Sequence, residues 1–273
     1  MKSYIVKCIG AGITTALLTG AIAKADIRST IQAAASGTTV TCSGTYSLTA
    51  SITVPSGVTV KGGTFNFNNA GNGFVLSGTN CKLYSLTVTA VNHPGIYIYG
   101  GSGCRVDSCT TTSNYNTGIQ IQGSTAKNNT IYNCISKTNY DSATGGQNAD
   151  GYACKFSTGS GNLFQSCDAH QNSDDGWDFW QAGAGVTVTG CKSYSNGSGS
   201  AGNGNGFKFG SSGMSIAMTY TSCTAYSNAG TTGHGFDTNG NTGSHKLTGC
   251  KSYSNKTADR LGNSVLSGCT MQY

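Results

Sequence analysis

The chain of 273 residues sets 16 lysines and arginines against 10 acids, all of them aspartate, and carries 41 glycines, 12 cysteines and two prolines. Its formal balance of +6 falls to about +3 once Lys2, Lys7 and Lys24 are set aside, too weak and too scattered a charge for a nucleic-acid footprint. No run is long and apolar enough to cross a bilayer, and no Pro-rich, Ser-rich or charged linker divides the chain, so one large domain is expected.

The first 25 residues read as an export signal, with Lys2 and Lys7 ahead of an apolar run from Ile9 to Ala23 and the small-residue cleavage site Ala23-Lys24-Ala25. Residues 26–273 are then expected to form a single secreted, soluble domain acting as a monomer. Its opening stretch, "DIRSTIQAAASG", predicts a short helix with Ile27, Ile31 and Ala34 on one face and Gly37 ending it. Such a helix would cover the open end of a stacked fold.

From there the chain repeats. Glycine followed by an apolar residue, any residue and usually a second apolar one recurs as "GFVL" at 73, "GIYI" at 95, "GIQI" at 118, "GYAC" at 151, "GWDF" at 176, "GFKF" at 206 and "GFDT" at 235, in steps of 22 to 33 residues. A second landmark keeps time with it: Cys109, Cys134, Cys167, Cys191, Cys223 and Cys250, each followed five positions later by Asn114, Asn139, Asn172, Asn196, Asn228 and Asn255. Short alternating strands between Gly, Asn and Ser turns, without a helical period, exclude βαβ units. The repeat predicts an all-β fold, a right-handed parallel β-helix whose rungs stack about 4.8 Å apart.

Stacking turns sequence columns into spatial columns. Phe74, Ile96, Ile119, Tyr152, Trp177, Phe207 and Phe236 are expected to point inward. The next position then points outward and holds Gln120, Ala153, Asp178, Lys208 and Asp237. The position before each glycine holds Thr117, Asp150, Asp175, Asn205 and His234. The cysteine column lines the interior; stacked side chains point in parallel, a poor geometry for disulfides, so mostly free thiols are expected. The asparagines would form an amide ladder inside a turn.

"NSDDGWDFW", residues 172–180, packs Asp174, Asp175 and Asp178 into five positions, and the register brings Asp150 beside them. Four carboxylates this close repel unless protonated or bridged by a metal. A hard dication such as Ca²⁺, which takes six to eight oxygens in flexible geometry, answers the problem; a solvated Asp-Gly turn is the alternative. Lys208 reads either as a surface lysine paired with Asp178 and Asp237 or, beside a bound dication, as an amine whose ammonium is disfavoured, a general base.

These segments carry a resemblance. "NADGYACKF" from 148, "GNLFQSCDAHQNSDDGWDFW" from 161 and "GNGNGFKFG" from 202 are similar to the signature segments of the family-nine pectate lyases, secreted β-helix enzymes that eliminate across the 4,5 bond of galacturonate chains. The resemblance implies that Asp150, Asp174, Asp175 and Asp178 hold a catalytic Ca²⁺, that Lys208 is the Brønsted base, and that the partner is acidic plant cell-wall polysaccharide. It leaves Lys155 as a contact for a uronate carboxylate or a plain surface lysine, with His234 and Asp237 as further candidate substrate contacts. Members of that family are usually longer, which implies a shorter groove here.

Two other readings compete. "NAD" at 148, "DD" at 174 and "GHG" at 233 follow the order of polygalacturonase-type β-helix hydrolases, which activate water with paired carboxylates, but the later Arg-x-Lys motif is missing. A non-catalytic, Ca²⁺-binding β-helix that recognises carbohydrate would keep the aspartates and have no need of Lys208.

Overall fold

The computed structural model describes residues 15–18 and 27–273. The cleavage site expected at Ala25 and the basic residues ahead of it lie outside the described residues. Within the expected leader, Thr15–Leu18 forms a strand paired in parallel with Thr39–Cys42.

Among the described residues the strands form three sheets, of 11, 8 and 9 strands, and every paired strand runs parallel to its neighbour. The chain visits each sheet once per coil, so hydrogen-bonded neighbours are successive coils; this is the parallel β-helix the repeat predicts. No described helix is long and apolar enough to cross a membrane. The helix Ile27–Gln32 buries Ile27 and Ile31. It lies over the end of the eight-stranded sheet, where Gln32 Oε1 accepts from Thr53 N–H at 3.2 Å and Arg28 Nε donates to Ser51 O at 2.8 Å. Backbone groups that would otherwise form an open edge are thereby satisfied.

Register follows the Gly-apolar repeat. In the eight-stranded sheet Tyr152 pairs with Trp177, Trp177 with Phe207 and Phe207 with Phe236. Their rings are fully buried and stack at centroid distances of 4.6, 4.7 and 5.0 Å. Each such pair adds about 0.5–1.5 kcal/mol beyond the burial of its area. The glycine that opens each strand is there for lack of room. A Cβ on Gly176 would stand 2.6 Å from Gly206 O and closer still to Ser193 Oγ. Gly176→Ala is therefore expected to cost about 3 kcal/mol or more, checked by the thermal melt; an unchanged melt would refute this account of the repeat.

The two small-residue columns also form. Along the asparagine column each Nδ2–H donates to the Oδ1 one coil on, over 2.8 to 3.0 Å from Asn114 to Asn255. The same oxygens accept the backbone N–H of the preceding asparagine. All eleven described cysteines are free thiols, as expected. In their main column the backbone N–H of Cys109, Cys134 and Cys167 points at the sulfur of the next coil, 3.4 to 3.5 Å away, and Cys269 extends the series beyond Cys250.

Candidate metal and active site

The site grows on one edge of the eight-stranded sheet. Backbone bonds from Gly151 N to Asp175 O, Gly176 N to Asn205 O and Gly206 N to His234 O, 2.7 to 2.9 Å long, align the column ahead of the glycines. The outward column aligns as predicted, with Ala153 opposite Asp178, Asp178 opposite Lys208 and Lys208 opposite Asp237.

Both columns deliver carboxylates to one place. Asp150 Oδ1 accepts from Asp175 N–H at 3.3 Å, and Asp175 Oδ1 accepts from Asn205 N–H at 2.7 Å. Asp174 is pinned by the N–H groups of Asn203 at 2.7 Å and Asn148 at 2.9 Å, and Asp178 Oδ1 by that of Trp180 at 2.9 Å. All four carboxylates are buried. One oxygen each from Asp150, Asp174 and Asp175 lies within 4.8 Å of the other two. Oxygen ligands of a Ca²⁺-sized ion stand about 2.3–2.6 Å from it, so two of them can be up to about 5 Å apart. The donor set is all oxygen, flexible in geometry and anionic, and it fits a hard dication.

Two lysines enter this nest. Lys155 Nζ sits 2.7 Å from Asp150 Oδ2 and 2.8 Å from Asp178 Oδ2; Lys208 Nζ sits 3.1 Å from Asp175 Oδ2 and 3.3 Å from Asp178 Oδ2. The expectation that either is a surface lysine is thus corrected: Lys155 is 7 % and Lys208 8 % exposed. Each long side chain folds back along the sheet, because the uncompensated acids outcompete solvent for its ammonium. Four carboxylates against two ammonium groups leave an excess of two negative charges, which is the charge of one dication.

The electrostatics follow. Burial, reinforced by Asp178 and Asp174 and opposed by Lys155, pushes the Asp150 carboxyl up to about 6. Asp175 is raised well above the carboxylate range by burial, against the pull of Lys208 and with Asp174, Asp178 and Asp150 adding to the rise. Burial works to raise Asp178 too, but Lys155 and Lys208 hold it below its ordinary value. Burial works to lower both lysines and loses to their acids: Asp150 and Asp178 hold Lys155 above its usual range, and Asp175 and Asp178 hold Lys208 above its own.

The remaining candidates lie beside the nest. Asp237 does not pair with Lys208; both of its oxygens are taken by Arg260, at 2.9 Å from Nε and 2.6 Å from Nη2. His234 holds its place in the column through its backbone N–H, 3.1 Å from Asn205 Oδ1. Its Nδ1 is tied to the following coil, against Ala258 O and 2.8 Å from Thr257 Oγ1. Arg260 escaped the reading of the sequence because its coil lacks the Gly-apolar signature. Its signal was spacing alone: it stands one coil length beyond Asp237 and bridges to it in parallel.

Residues 14–265 match the family described as "Pel9A-like, right handed beta helix region". Pectate lyase L of Dickeya chrysanthemi is 32% identical over 205 residues, 73% of this chain and 47% of that protein. Pectate lyase L of Thermoclostridium stercorarium is 35% identical over 123 residues, 41% of this chain and 10% of that protein. The crystal structure of pectate lyase Pel9A superposes with a TM-score of 0.77 at 28% identity, over 87% of this chain and 66% of that one. A rhamnogalacturonan lyase at 22% identity and a TM-score of 0.69 shares the fold. The chain thus spans half or less of the length of these curated relatives. A family match over nearly all the coils, joined to the register that gathers Asp150, Asp174, Asp175 and Asp178, shows that the chain belongs to the Pel9A-like right-handed β-helix family.

Proposed function

We propose that the protein is a secreted, calcium-dependent pectate lyase that cleaves polygalacturonate by β-elimination. The observation that carries the reading is the convergence of four buried carboxylates from two neighbouring coils with a lysine that shares two of them. Asp150, Asp174, Asp175 and Asp178 would hold the ion. Bound Ca²⁺ supplies a Lewis acid for the uronate carboxylate, which acidifies the neighbouring C5 proton.

The rest falls to the chain's own residues. Lys208 Nζ takes the C5 proton; the C–H electron pair becomes the C4–C5 double bond as the C4–O bond breaks, and the departing oxygen is protonated from solvent. Lys208 has to be neutral for this. Between Asp175 and Asp178 alone it stays an ammonium. With those acids compensated by a cation it no longer gains from its proton, and its pKa falls toward the working range of a base. The same geometry supports a division of labour in which Lys155 stays charged as a fixed counter-ion of Asp150 and Asp178. The carbohydrate-binding reading gives Lys208 no task, and the hydrolytic one gives it none as a base. Incubation with polygalacturonate and Ca²⁺ at alkaline pH is expected to raise ultraviolet absorbance as unsaturated product forms. Reducing ends without that absorbance would mean hydrolysis, and neither signal would mean a binding module.

Loading of the nest also sets the response to pH. Asp150 titrates near 6 when folded against an ordinary 3.8, so between those values the folded chain holds more protons than the unfolded one, and stability falls as pH rises. Asp178 shifts the other way and adds stability only above its lowered pKa, a window below about pH 4. Chelator-treated protein is therefore expected to melt at a lower temperature at pH 6.5 than at pH 4.5, and excess Ca²⁺ to restore it. A melting temperature flat across that range would contradict the raised carboxyl.

A further inference from the structure

Two aromatic side chains stand at the rim of the acid nest, and neither the core nor the elimination step uses them. Phe156 directly follows Lys155, and Trp180 stands two residues beyond Asp178. Each is 37 % exposed, although the aromatic rings on the inner face of the same sheet are fully buried. Their rings meet edge to face, with centroids 5.3 Å apart and planes at 86°.

The backbone beneath them joins the two coils. Phe156 is left-handed at φ 58°, as are Gly100, Gly123 and Gln181 where this sheet ends in neighbouring coils, and Ser157 follows at 61°; the turn is a regular feature of the coil, and here it carries an aromatic ring. Phe156 N–H bonds to Trp180 O at 3.3 Å and Ser157 N–H to Gln181 O at 2.7 Å, joining the two coils. Trp180 is fixed in turn to the nest, since its own N–H holds Asp178 Oδ1. Exposed apolar area thus forms an aromatic ledge beside the ionic site, Phe156 next to Lys155 and Trp180 two residues from Asp178. A pyranose ring has an apolar face of C–H bonds and a polar edge of oxygens; a flat exposed ring beside a cluster of charges matches both.

We propose that Trp180, packed edge to face with Phe156, is the stacking platform for the sugar unit adjoining the one whose carboxylate is held at the nest. The identity of that sugar as a galacturonate rests on the lyase reading; the platform does not.

The chain has two tryptophans, and Trp177 is fully buried, so a fluorescence response to ligand isolates Trp180. In a Lys208→Ala background that halts turnover, Ca²⁺-loaded protein titrated with trigalacturonate is expected to change its emission. Adding Trp180→Ala should remove the response and weaken binding by calorimetry about 10-fold, whereas Trp180→Phe should recover most of the affinity. Ca²⁺ affinity should stay unchanged in both, because Trp180 holds Asp178 through its backbone; a parallel loss of ion binding would instead mark a structural prop and overturn the proposal. No emission change with trigalacturonate, or equal affinity without the indole, would also overturn it. An emission change in a protein whose wild type yields no unsaturated product would keep the platform and discard the lyase.

Discussion

Lys208→Ala is expected to lower kcat on polygalacturonate by about a thousandfold, the scale of a lost general base, while the protein stays folded. Lys208 is also a counter-ion of Asp175 and Asp178, so its removal leaves the nest more negative, and Ca²⁺ should bind as tightly as before or tighter. The informative partner is Lys208→Arg. A guanidinium keeps the positive charge and the reach but does not give up its proton near neutral pH. If the amine acts as a base, both variants are inactive; if it serves only as a charge, the arginine variant works. Substantial turnover by Lys208→Arg, followed by the absorbance of the unsaturated product, would remove Lys208 from the proton transfer.

Asp175→Asn is expected to weaken Ca²⁺ by about 100-fold or more, and activity at limiting Ca²⁺ with it. The amide keeps the shape and an oxygen for Asn205 N–H, the bond that spans the two coils at 2.7 Å, so the backbone should hold its register. What disappears is one of the three carboxylates clustered within 4.8 Å. The control is Asp237→Asn. Asp237 is just as buried but satisfied by Arg260, and its loss should leave ion affinity within about twofold while costing stability. Calorimetry that finds equal Ca²⁺ binding in wild type and Asp175→Asn would mean that the nest serves another purpose.

The columns were legible because a solenoid repeats its backbone: once the Gly-apolar strands are aligned, Asp178 has to face Lys208 and Asp150 has to precede Asp175. What periodicity does not encode is where a long side chain goes after leaving the backbone. Lys155 lies two residues beyond the outward column, opposite Gln122, and only the unpaired charge of Asp150 and Asp178 explains why it turns back into the sheet. Spacing alone sets Lys208 midway between Asp178 and Asp237, one rung from either. The choice was made by Arg260, which takes Asp237 from the other side, in a coil where "NKTADRLGNS" hides the repeat. The export signal and the cleavage site expected at Ala25 fall largely outside the described residues.

The sulfur column has a practical corollary. Among the described residues, ten of the eleven sulfhydryls are shut inside the coils and only Cys269 is half-open, at the last turn. An alkylating reagent can reach the rest only when turns come apart, so the order in which they are labelled is a record of unwinding. Mass spectrometry of partly modified protein would read that record, distinguishing a ribbon that frays from Cys269 toward Cys250 and Cys223 from one that opens all at once.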